Sequence, residues 1–106
     1  MRQTDMFIYN VTSRVETGIS DEWLAWMREE HIPRVLATGL FTHHRILHLL
    51  DTDETDGETY AVQYFTTTRE AYGRYLLEHA PGLRGEVAER WGDGVLSFRT
   101  LMEVIN

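Results

Sequence analysis

Residues 23–41 read Trp-Leu-Ala-Trp-Met-Arg-Glu-Glu-His-Ile-Pro-Arg-Val-Leu-Ala-Thr-Gly-Leu-Phe. Within them Trp23, Leu24 and Met27 recur at spacings of three and four. The stripe runs on to His31 and Val35, which predicts a helix with one face laid on a sheet. Pro33 has no N–H to donate, so it must either begin a new helical turn after a break near Glu30 to His31 or kink the helix, and a bend is the preferred reading. Gly39 then ends the second piece as a left-handed cap. His31 is the best polar candidate beside the buried face.

Upstream, Met6 to Val15 mixes aromatic and β-branched residues, with Phe7, Tyr9 and Val11 on one face and Ile8 on the other. This reads as a strand partly buried on both sides. Gly18 breaks it, and Ser20 is the expected N-cap of the helix, with Asp21 and Glu22 placed favourably in its first turn. Downstream, Leu40 to Leu50 forms a second strand with no purely polar face. The segment from Asp51 to Glu58 holds five carboxylates and a glycine, which suits a solvated hairpin loop. Thr59 to Thr66 is the third strand.

Thr67 or Thr68 can cap a second helix carrying Tyr72, Leu76, His79 and Leu83 along one face. Pro81 and Gly82 interrupt it, after which Leu83, Val87 and Trp91 continue the stripe to Gly92. Asp93-Gly94 turns the chain into a last strand, Val95 to Ile105. There Leu96, Phe98, Met102 and Val104 share one face, and Arg99 and Glu103 the other. The order β-α-β-β-α-β predicts an α+β, ferredoxin-like fold: a four-stranded antiparallel sheet with two helices on one face. The sheet's second face still carries large apolar residues. A patch of several hundred Å2 calls for a partner, most simply a second copy packed face to face.

The chain has 106 residues, 42% of them hydrophobic, which fits one domain over 1–106. It has no run of about 18 apolar residues, and the start Met1-Arg2-Gln3-Thr4-Asp5 does not resemble a secretory signal, so a cytoplasmic location is expected. Without cysteine there are no disulfides, thiolate metal sites or cysteine nucleophiles. A formal charge of -7 without a basic cluster disfavours nucleic acid and membrane surfaces as partners. All ten basic residues are arginine. Codon bias is the plainer reading of this, and selection for a salt-tolerant acidic surface is the other.

The segments Tyr9-Asn-Val-Thr12, Trp23 to Met27, His31-Ile-Pro33, Thr38-Gly-Leu-Phe41, Val62-Gln-Tyr-Phe65 and Phe98-Arg-Thr-Leu101 resemble a family of small uncharacterised bacterial proteins. The resemblance spans nearly the whole chain, and it implies a dimeric α+β barrel without implying an activity. The wider superfamily holds cofactor-free monooxygenases, haem-degrading oxygenases, isomerases and stress-response proteins, so the fold does not select among them. Some haem-binding and cofactor-free members use an asparagine on the first strand, an aromatic on the third and a histidine on the second helix. Asn10, Tyr64 or Phe65, and His79 hold comparable places, although the usual third-strand tryptophan is missing and His79, just before Ala80-Pro81, reads more plainly as a surface or helix-end residue.

The plainer reading of His31 is a partly buried imidazole bonded to a nearby carbonyl or carboxylate, and the other is a residue that binds a ligand or moves a proton near neutral pH. Arg99, with Glu103 on its face and Gln63 as a polar intrusion in the third strand, can orient a carboxylate or carbonyl ligand, or fix a dimer's register. Tyr9, Tyr60 and Tyr64 read as core aromatics. No metal is expected: His44 and His48 share a strand face but lie about 13 Å apart, and His43 points away. The acidic loop also fails the calcium-loop spacing. No cofactor is expected.

The leading expectation is a homodimer binding a small apolar or aromatic molecule between helices and sheet, near Asn10, His31 and Tyr64. Its rivals are a cofactor-free monooxygenase or isomerase or a haem-binding relative, and a structural or interaction module without ligand.

Overall fold

The computed structural model describes residues 6–106, so the segment read for a leader, Met1–Asp5, lies outside the described residues. Four strands, β1 (Phe7–Glu16), β2 (His43–His48), β3 (Gly57–Thr66) and β4 (Val95–Glu103), form one sheet in the order β2-β3-β1-β4. Neighbours pair antiparallel throughout. The crossovers after β1 and β3 each carry helices, giving the expected split β-α-β arrangement.

Each crossover helix is broken in two. The first comprises α1 (Ser20–Trp26), a π turn (Met27–His31) and α2 (Ile32–Leu36). Pro33 cannot donate to the carbonyl four residues before it, and the chain takes an extra residue into the turn: the Ile32 N–H donates to the Met27 carbonyl, five residues back. The alternative to a simple bend is what occurs: a π turn covers Glu30 and His31, and Pro33 stands in the first turn of a new helix, α2. Gly39, at φ 78°, ends this crossover in the left-handed conformation expected of it, its N–H on the Leu36 carbonyl.

The second crossover comprises α3 (Arg69–Glu78) and α4 (Ala80–Trp91). The Thr68 hydroxyl accepts from the Ala71 N–H at 3.0 Å and caps α3. The break falls at His79, two residues earlier than the Pro81–Gly82 interruption, because proline is tolerated in a helix's first turn and α4 restarts around it.

Three boundaries and one cap differ from expectation. Ser20 lies inside α1, and Ile19 is the N-cap residue without a side-chain cap bond. β2 is shorter than residues 40–50 because Phe41 turns into the core, although the Thr42 and Leu49 N–H groups still bond to the Phe65 and Thr59 carbonyls of β3. β3 begins at Gly57, where a Cβ would collide with the Val15 carbonyl oxygen. β4 stops at Glu103, although the Val104 N–H still reaches the Met6 carbonyl.

Tyr9, Val15, Tyr60, Val62 and Tyr64 point from the sheet toward Trp23, Trp26, Met27, Ile32, Val35, Tyr75 and Leu83 of the helices, and this is the core. Burying each large apolar side chain contributes about 1.5–3 kcal/mol. Outside, the Arg34 guanidinium donates to Glu86 at 2.6 Å and to Glu30 at 3.3 Å, linking α2 to α4. The opposite sheet face has no helix. There Phe98 is 73% exposed, Leu96 59% and Leu47 36%.

Candidate functional site

The π turn sets His31 into the core side of the first crossover. Its ring stacks on Trp26 at 5.2 Å, and Trp26 meets Trp91 of α4 edge-on at 5.9 Å. The imidazole is therefore held by rings, while its buried Nδ1 has no hydrogen-bond partner. Burial pushes the His31 pKa down to about 4, Arg34 and Arg99 add to the fall, and Glu86 opposes it. His31 is neutral at pH 7 and able to offer a ring nitrogen as donor or acceptor.

His31 borders a cavity of about 40 Å3 between helices and sheet. That is space for roughly three water-sized atoms. β1 contributes Tyr9, Val11 and Ser13 to its wall, β3 Tyr64, and β4 Val95, Ser97 and Arg99. The helices contribute Trp23, Met27, His31, Tyr75, Arg84 and Val87. The register of β1 on β4 sets Ser13 opposite Ser97 and Val11 opposite Arg99, and the two serine hydroxyls meet at 2.8 Å. Tyr9 packs on Tyr64, Tyr72 and Tyr75 with ring centroids 5.5–6.0 Å apart. Burial raises the hydroxyl pKa of Tyr64 and Tyr75 well above the usual phenol value, so both stay protonated.

The wall is rich in nitrogen donors. Trp23 Nε1 and Arg84 Nε are buried without partners, as is His31 Nδ1. Arg84 uses Nη2 to donate to the Tyr9 hydroxyl at 3.1 Å. No aspartate or glutamate lines the cavity among the described residues. Native interiors leave few buried polar atoms unpaired, and three of these belong to residues around this one small space. Beside it a groove of about 180 Å3 runs between α4 and β4, lined by Arg84, Val87, Ala88, Gly92, Val95, Ser97 and Arg99. Five of these residues, Arg84, Val87, Val95, Ser97 and Arg99, belong to both walls.

The sequence-derived candidates are divided by the sheet. His31, Tyr64 and Arg99 meet at the cavity. Asn10 and Gln63 do not: they are paired across β1 and β3 on the helix-free face, where Gln63 Nε2 donates to Asn10 Oδ1 at 3.3 Å and Asn10 Nδ2 to Thr12 Oγ1 at 2.9 Å. The expected grouping of Asn10 with His31 and Tyr64 is corrected here, because Asn10 follows Tyr9 and alternation sends it to the other side. Gln63 is separated from Arg99 for the same reason. His79 sits at the α3–α4 break, 6.4 Å from the Tyr75 ring, and is absent from the cavity wall. Arg84, Trp23, Ser13 and Ser97 join the site without having been singled out.

On the hairpin, His48 Nε2 lies 3.0 Å from Glu54 and 3.4 Å from Glu58. The donor atoms of these three fall within 4.8 Å of one another. A spacing argument confined to histidines does not see such a group, because the hairpin itself folds the carboxylates back. All of it lies at the surface, and histidine–carboxylate attraction accounts for the approach.

No described helix is long and apolar enough to cross a membrane. No curated protein matches the chain by sequence. Solved structures do match in fold. A variant of SnoaB, a cofactor-independent oxygenase from Streptomyces nogalater, is similar with TM-score 0.70 and 17% identity over 97% of this chain and 96% of that one. An EthD-like protein from Ralstonia eutropha gives 0.72 and 14% over 97% and 95%. A dimeric ferredoxin-like protein from an uncultured marine organism gives 0.68 and 11% over 95% and 96%. At these identities the likeness establishes the ferredoxin-like α+β fold and leaves activity open. By sequence, residues 6–105 match the family described as Domain of unknown function (DUF4286), and the chain belongs to that family.

Proposed function

We propose that this protein is a single-domain homodimer, residues 1–106, that holds a small apolar or aromatic molecule in the pocket between helices and sheet. The observation that carries this reading is the aromatic-walled cavity and the groove beside it, with Trp23, His31 and Arg84, whose buried nitrogens have no partners, among the cavity's lining residues. The exposed Phe98, Leu96 and Leu47 on the helix-free face support the dimer, as does the fold likeness to a dimeric ferredoxin-like protein.

Calorimetric titration with 2-naphthol and 2-naphthoate tests the pocket. At least one is expected to bind, and Met27→Trp, which fills the cavity, is expected to abolish binding while the fold persists by circular dichroism. Absence of heat from both probes, or binding unchanged in the variant, would overturn it. Sedimentation at several concentrations tests the dimer, which a single monomeric species would refute.

A second reading, a cofactor-free monooxygenase or isomerase, is favoured by the fold likeness to a cofactor-independent oxygenase together with a buried histidine that is neutral at pH 7. Oxygen uptake with 1,8-dihydroxyanthrone is its test, and no uptake above the uncatalysed rate counts against it. Titration with haemin tests the haem-binding variant of this reading through the absorption band. If the protein dimerises but takes up no probe, the interaction-module reading stands instead.

A further inference from the structure

The pocket reading leaves the chemistry of its occupant open, and the electrostatics of the wall narrow it. Arg84 and Arg99 border both the inner cavity and the outer groove. Neither forms an ion pair with a carboxylate among the described residues, and of the described arginines without such a pair these two alone line the cavity. Acids outnumber arginines 17 to 10 in this chain, yet none lines the space these two border. A guanidinium at the edge of an apolar space, with no protein anion to meet it, is suited to an anion from elsewhere.

Size gives the second constraint. The inner cavity accepts roughly three heavy atoms, as many as a carboxylate contains and too few for an aromatic ring. The groove is about four times larger and carries Val87, Ala88 and Val95 among its walls. Trp23 and His31, whose Nε1 and Nδ1 are buried without partners, line the inner cavity and not the groove.

We propose, on the basis of the pocket reading above, that the occupant is an aromatic carboxylic acid. Its carboxylate enters between Arg84 and Arg99 toward Trp23 and His31, and its ring lies in the groove between α4 and β4. Carboxylate oxygens are acceptors only, matching a wall whose unsatisfied atoms are chiefly donors. The neutral His31 accommodates this by donating from Nδ1, whereas a second buried cation is not required. An overall charge of -7 disfavours anions at long range, so selectivity must come from these local contacts.

The probes 2-naphthoate and 2-naphthol share a ring and differ in the ionised group at about pH 7, and calorimetry of the full chain compares them. The acid is expected to bind at least about tenfold tighter, worth about 1.4 kcal/mol. Arg99→Met is expected to erase that preference by weakening 2-naphthoate far more than 2-naphthol. Arg99 is exposed, so its replacement leaves the core intact. Arg84→Met, which also loses the Tyr9 contact, is expected to act in the same direction, with thermal melting showing that it folds.

Equal affinity for the two probes, or an acid affinity unmoved by Arg99→Met, would overturn the carboxylate proposal while leaving the pocket reading in place. A preference for 2-naphthyl phosphate over 2-naphthoate would overturn it in favour of a phosphorylated ligand. Binding of neither aromatic probe would overturn the pocket reading itself.

Discussion

The two faces of the sheet treat their polar groups differently. On the helix-free face, Asn10, Thr12 and Gln63 satisfy one another in a short chain of hydrogen bonds, and the conspicuous feature is apolar: Phe98 and Leu96 stand well exposed. On the covered face the apolar groups are packed, and it is Trp23, His31, Arg84 and Trp91 that hold nitrogens without partners, the first three at the cavity. Each face is complete in the property the other lacks. An apolar deficit suits a broad surface, which the second copy of the proposed dimer would supply, whereas a hydrogen-bonding deficit around a small space suits the proposed small molecule.

The largest expected effect falls on the covered face. His31 has a folded-state pKa of about 4 against an ordinary value of 6.5, so between those values the unfolded chain binds a proton that the folded chain does not. The stabilisation is complete above about pH 6.5 and is lost as the pH falls toward 4. Its full size is about 3 kcal/mol. Urea unfolding at about pH 7 and pH 4.5 should show His31→Phe removing most of this slope, and an identical slope in both proteins would place the acid sensitivity elsewhere.

Next in size is the helix-free face. Phe98→Asp should cost the proposed dimer about 2 kcal/mol or more, shifting its dissociation constant about thirtyfold, because it puts a charge into the exposed apolar patch. Sedimentation checks this, and 2-naphthoate binding per chain should survive the change. If dissociation also abolished binding, the two faces would not be independent. Smallest is Thr68→Ala, which removes the α3 cap and should lower stability by about 1 kcal/mol in urea unfolding without altering either face.

The order of elements was legible because each rests on local chemistry: apolar spacing in α1, the left-handed Gly39, the Thr68 cap and the acidic turn. Pro33 announced a disturbance, but not that the chain would absorb it as a π turn and thereby aim His31 at the cavity. The candidate site was only half legible. Alternation alone places Asn10 opposite Tyr9, but joining a residue on one strand to a residue on another requires the register, which pairs Tyr9 with Tyr64 and Ser13 with Ser97. Arg84 was invisible for a different reason. It adjoins Leu83 in a stripe that reads as core, and only the restart of α4 at Ala80 fixes where its guanidinium reaches.

A 1H–15N titration of the protein with 2-naphthoate observes both faces at once and tests most directly that the covered face is the ligand's. The indole N–H signal of Trp23 is predicted to move progressively and saturate, while the side-chain amide signals of Asn10 and Gln63 stay in place. Movement of the Asn10 and Gln63 amides with Trp23 unaffected would contradict the assignment and place the ligand on the helix-free face.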